Sequence, residues 1–81
     1  MQPNHYLDRF NEPIILGRGF LKYRNRSVPF TEIKEIRVKG NRFLINHYRN
    51  NTTHPTFIIF LQDKQKADFL HDELLDKMYY Q

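Results

Sequence analysis

Three sets of residues in this 81-residue chain have types and spacings that could do chemistry. The first is Lys22, Arg24 and Arg26, which alternate through Lys-Tyr-Arg-Asn-Arg. If a strand persists that far, all three cations share one face and can hold phosphate. The second is Arg37, Lys39 and Arg42, with Tyr48 placed to stack a base. The third is Phe69, an aromatic among Asp72, Glu73 and Asp76. At 100° per residue it falls opposite the apolar stripe of its helix, where an aromatic ringed by charge could anchor a protein partner. Each set has a plainer alternative. Lys and Arg on strands commonly keep edges soluble, and acids at i, i+4, i+8 (Asp68, Asp72, Asp76) are commonly a solvated helix face.

Catalytic chemistry is poorly supplied. The chain has no cysteine, hence no disulfide, thiolate nucleophile or thiolate metal site. Its one serine, Ser27, lies in a basic turn without an acid–histidine pairing nearby in sequence. His5, His47, His54 and His71 match no metal-ligand spacing, and His71 at the border of the helix stripe reads as a structural histidine. Gly17-Arg18-Gly19 lacks the third glycine of a dinucleotide loop and the lysine of a P-loop. The expectation is a non-enzymatic protein with no cofactor and no metal.

The elements that must position these residues follow from patterning. Gly40-Asn41 separates two strand-like runs and suits a two-residue hairpin turn. Pairing across it sets Lys39 opposite Arg42, Val38 opposite Phe43, Arg37 opposite Leu44 and Ile36 opposite Ile45. Val38, Phe43, Ile36 and Ile45 then face a core, and Arg37, Lys39, Arg42, Leu44, Asn46 and Tyr48 face away. Earlier strands are expected at Ile14–Leu16 and Phe20–Tyr23. A polar turn follows at Arg24–Ser27, and Val28-Pro29-Phe30 is extended, with Pro29 confining it to an edge or a strand end. Residues 1–13 read as an irregular segment in which Tyr6, Leu7 and Phe10 could form one helical turn. Asn50–Pro55 is a polar loop. Phe57–Leu61 is apolar throughout, so it should be covered on both faces, as a central strand or at a subunit interface. A helix from about Lys64 to Tyr79, capped by Asp63, carries the stripe Ala67, Leu70, His71, Leu74, Leu75 and Met78.

Charge is segregated. Residues 18–49 hold nine Lys/Arg against two acids, whereas residues 62–81 hold three Lys against five acids. A net charge of +4 thus conceals a basic sheet region and an acidic helix. At 40% hydrophobic and 15% aromatic content the chain supports one small folded domain. No apolar run approaches the roughly 20 residues that span a bilayer, and Met1–Tyr6 lacks the pattern of a signal peptide, so a cytoplasmic location is expected. Arg18-Gly19-Phe20-Leu21-Lys22-Tyr23 echoes an RNA-recognition strand, but no helix separates the early strands as that fold requires.

Ser27-Val28-Pro29-Phe30-Thr31-Glu32-Ile33-Lys34-Glu35-Ile36 resembles the segment of bacterial PH-like domains that joins the early strands to a meander. The matching residues are Val28, Pro29, Phe30, Ile33 and Ile36, and the similarity of element order covers residues 14–79. The resemblance implies an α+β domain over residues 14–81, of bacterial or phage type: a bent, mostly antiparallel sheet with one C-terminal amphipathic helix. The five or six short strands counted here fall short of a full barrel, which would leave it incomplete or closed by a second copy. The resemblance also implies a scaffold for interaction rather than catalysis. The leading expectation is a module that binds a protein partner, with a homodimer as one form of it. The alternative is a phosphate-binding module, for nucleic acid or anionic membrane, that works through the basic sheet face.

Overall fold

The fold, a computed structural model, describes residues 5–50 and 54–79. It is α+β, with two antiparallel sheets and one C-terminal helix. The first sheet has the order β1 (His5–Leu7), β2 (Pro13–Leu16), β3 (Phe20–Tyr23), β4 (Arg26–Pro29). A 3₁₀ turn at Phe30–Glu32 leads into the second sheet, β5 (Ile33–Lys39), β6 (Arg42–His47), β7 (Phe57–Phe60). Helix α1 (Lys64–Tyr79) packs over β5 and β6. The two sheets stay open rather than closing into one barrel; an isolated bridge, Asp8 with Leu61, links them.

The hairpin at Gly40-Asn41 has the expected register: Lys39 opposite Arg42, Val38 opposite Phe43, Arg37 opposite Leu44, Ile36 opposite Ile45. Gly40 has φ 61° and Asn41 does not share the positive sign, the pattern of a turn with glycine at its first central position. Phe43, Ile45 and Ile59 are fully buried and meet Leu70 and Leu74 of the helix in one core with Ile14, Leu16, Leu21 and Val28 of the first sheet. Burying a side chain such as Phe43 contributes on the order of 2–3 kcal/mol by area. The Asp63 cap is present: its Oδ1 accepts the Lys66 backbone N–H at 2.9 Å. Phe30, Ile33 and Ile36 of the Val28–Ile36 segment are buried in the same core.

Three expectations are corrected. Among the described residues there are seven strands, not five or six, because strands as short as three residues suffice here. The additional strand is β1, where a helical turn was expected; Tyr6 pairs with Ile14 and packs on the core, whereas Leu7 and Phe10 are exposed and share no apolar helical face with it. The turn expected over Arg24–Ser27 is shorter, because β4 begins at Arg26 and pairs with Tyr23. Lastly, β7 is not central. It is an edge strand with Ile59 buried and Ile58 and Phe60 each 37% exposed, so a continuous apolar run here has one covered face. Of the Asn50–Pro55 loop, residues 51–53 lie outside the described residues, as do residues 1–4.

Candidate functional site: the outer face and edge of the second sheet

Alternation along β5, β6 and β7 gives the second sheet an outer face. Two cross-strand rows define it: Arg37, Leu44, Ile58 and, beside them, Lys39, Arg42, Phe60. Leu44 is only 7% exposed although it points away from the core, because Arg37 and Ile58 flank it. Strands about 4.8 Å apart make each row roughly 10 Å wide. The face therefore interleaves three cations with three apolar side chains. Among the described residues none of Arg37, Lys39 and Arg42 forms an ion pair.

The loop between β1 and β2 extends this face. Arg9 donates its backbone N–H to the Phe60 carbonyl at 2.8 Å. The Arg9 guanidinium lies 5.4 Å from the Phe10 ring centre and 5.9 Å from that of Phe60. Phe10 is 61% exposed and also lies 5.8 Å from the Arg24 guanidinium. At the other end of β7 and on the core-facing side, Arg26 sits 5.0 Å over Phe57. Such exposed guanidinium–ring contacts are each worth about 0.5–1 kcal/mol, enough to orient the arginines without burying them.

Asp8 holds that loop in place. Its carboxylate is fully buried; Oδ1 accepts the Phe10 and Glu12 backbone N–H groups at 2.7 and 2.8 Å, and Oδ2 accepts the Tyr23 hydroxyl. Arg24 Nη2 lies 3.6 Å from Oδ2. Burial by itself would raise the Asp8 carboxyl, but the Tyr23 hydroxyl, the two amides and Arg24 outweigh it and hold it below its ordinary value. Burial, and then the Asp8 charge, push the Tyr23 phenol up. Arg24 adopts φ 55° to turn β3 into β4, a conformation costing about 1–2 kcal/mol for a residue with a Cβ.

The sequence-derived sets fare differently. Arg37, Lys39 and Arg42 come together as expected. Tyr48 does not join them: it follows the end of β6, roughly 20 Å along the strand from Arg42 at about 3.3 Å per residue, and donates its backbone N–H to Glu32. Lys22, Arg24 and Arg26 do not share a face. The turn at Arg24 breaks the alternation, so Lys22 pairs with Ser27 on the outer side while Arg26 sits beside Tyr23 on the core-facing side. Phe69 is exposed on the helix at 54%, with Asp72 and Asp76 exposed and Glu73 partly buried. Asp72 lies 3.6 Å from His71 Nδ1, and Lys64 pairs with Asp68 at 2.9 Å.

Sequence reasoning missed Asp8, Arg9, Phe10, Ile58 and Phe60 as one locality. Their meeting depends on the link between Asp8 and Leu61, which no local spacing reports. Among the described residues no group of three or more histidine, aspartate or glutamate side chains could hold a metal, and no helix is long and apolar enough to cross a membrane. In comparisons with known proteins, no family model, curated protein or solved structure matches the chain.

Proposed function

We propose that this chain is a small non-enzymatic interaction module of PH-like type, and that it binds a protein partner through the outer face of the second sheet. One observation carries the reading: Leu44, Ile58, Phe60 and Phe10 form an apolar surface rimmed by Arg9, Arg37, Lys39 and Arg42. An apolar centre with a charged rim is the anatomy of a protein interface. Phe69 on the helix is a single aromatic without apolar neighbours on its face, and supports this reading less.

Capture from native lysate at two salt concentrations, with and without nuclease, tests it. The double change Phe10→Ser with Ile58→Ser is expected to remove the captured protein, while Phe69→Ala leaves it. Loss in Phe69→Ala alone would move the site to the helix.

The second reading is a phosphate-binding surface. Its support is that Arg37, Lys39 and Arg42 share one face and lack carboxylate partners among the described residues. It predicts nuclease-sensitive or vesicle-dependent capture that collapses with salt and with the Arg37→Ala, Lys39→Ala, Arg42→Ala triple change.

A further inference from the structure

A sheet edge exposes every second pair of backbone groups. In β7 the Leu61 N–H donates to the Asn41 carbonyl on the β6 side, at 2.8 Å. The Phe60 carbonyl faces the opposite way and is taken by Arg9. Alternation therefore turns the N–H and C=O of Ile58 outward, two positions before Phe60, where no strand among the described residues pairs with them.

The other edges of the two sheets are defended. Along β5 stand Lys34, Glu35, Arg37 and Lys39; β4 carries Arg26 and Pro29; β1 is three residues long. Charges, proline and shortness are the devices that keep edges from pairing. Phe57-Ile58-Ile59-Phe60 has none of them.

Charge selects the occupant. Arg9 stands over Phe60 on the outer face, where Arg42 lies opposite Phe60 and Arg37 ends the row of Leu44 and Ile58, so a chain laid beside Ile58 on that face meets a cationic surface. A second copy paired through this same edge would set two such cationic outer faces side by side. We infer that β7 is completed by an extended segment of an acidic partner protein, which adds one antiparallel or parallel strand at Ile58, lays an aliphatic side chain beside Ile58 on the outer face, and presents carboxylates on that same face to Arg9 and Arg42. This rests on the outer-face reading above and names the chemistry of the partner. Backbone pairing supplies the register, and the flanking residues supply the choice of sequence. The segment is short, because the Arg9 amide already occupies the Phe60 carbonyl and stops the ladder there.

The probe is a capped peptide, Thr-Glu-Thr-Ile-Thr-Glu-Thr, whose Ile and both Glu share one strand face, titrated onto the intact chain by fluorescence anisotropy, with amide exchange followed by NMR. Two controls accompany it: the same peptide with Lys for every Glu, and the acidic peptide N-methylated along alternate residues on either register. The expected result is saturable binding of the acidic peptide, slower exchange of the Ile58 amide, and no binding of the Lys peptide. N-methylation on the pairing register should weaken binding about tenfold or more, the scale of one or two lost hydrogen bonds. Arg9→Ala with Arg42→Ala should weaken it by a similar factor without lowering the melting temperature appreciably. Equal binding of both N-methylated forms overturns strand addition. So does no binding of the acidic peptide, or a dimer in sedimentation that protects Ile58 without peptide. In each of these cases the lysate capture by the Phe10→Ser, Ile58→Ser variant still decides the outer-face reading separately.

Discussion

β5 and β7 are the two edges of one three-stranded sheet, and they are built in opposite ways. β5 has seven residues, three of them Lys or Arg and one Glu, and its partly buried and buried positions alternate with exposed charge. β7 has four residues, all Phe or Ile. Both lean on the same central strand β6, so the core cannot explain the difference. Solvation can: an edge that must stay single carries charge, and an edge that carries none is short or is covered. In β7 the far end is covered by the Asp8–Glu12 loop, and Ile58 is left. The contrast shows that on this sheet the charged residues and the apolar residues answer two separate questions, what must not pair and what can.

The largest effect is expected from removing what the two edges share. Phe43→Ala empties a fully buried site between them and should cost about 3–5 kcal/mol, a large part of the stability of a domain this size. Urea unfolding should show it, and both edges should lose protection together; loss confined to β7 would mean that β5 is held by something other than β6.

Asp8→Asn should separate the edges. It weakens a buried carboxylate that serves two amides, a tyrosine hydroxyl and an arginine, at a cost of about 1–3 kcal/mol. Exchange of the Arg9 and Leu61 amides should quicken while the β5–β6 amides follow global unfolding. The pH dependence has a definite sign. The folded Asp8 carboxyl lies below its unfolded value of about 3.9, so its stabilisation is present above that value and is lost as pH falls through the folded one. Tyr23, raised in the fold, contributes below its unfolded value of about 10 and loses that contribution as pH rises through the folded one. Wild type should thus lose more stability below about pH 4 than Asp8→Asn; parallel acid curves would mean that Asp8 is not the group responsible.

The smallest expected effect on stability is the most informative for the comparison. Ile58→Lys gives β7 the kind of residue β5 already has. Ile58 is partly exposed on an edge, so stability should change by less than about 1 kcal/mol. Binding at the outer face should nevertheless fall. A change in melting temperature with binding intact would show that Ile58 serves the fold and not a partner.

Local chemistry was enough to read the β5–β6 hairpin, because Gly40-Asn41 fixes its turn and the turn fixes its register. It was enough for α1, where Asp63 and the spacing of Ala67, Leu70 and Leu74 mark the start and the buried stripe. It placed Arg37, Lys39 and Arg42 on one face for the same reason. It misplaced Lys22, Arg24 and Arg26 because a left-handed arginine is an uncommon turn residue, held here by Asp8 from another hairpin. It could not tell a central β7 from an edge one, because an apolar run looks alike in either place. It left Tyr6 and Leu7 outside the sheet because three residues are too few to show alternation. The misplaced arginine turns on a contact between segments distant in sequence.

The link between Asp8 and Leu61 also has a meaning in time. A ribosome makes the Asp8 loop and its Tyr23 and Arg24 partners before it makes β7. At roughly 5–20 residues per second, Leu61 emerges several seconds after that loop. The Arg9 amide thus precedes its acceptor, the Phe60 carbonyl, in synthesis. The last strand of the second sheet is therefore added to a chain that already carries the groups that cover its end in the finished fold.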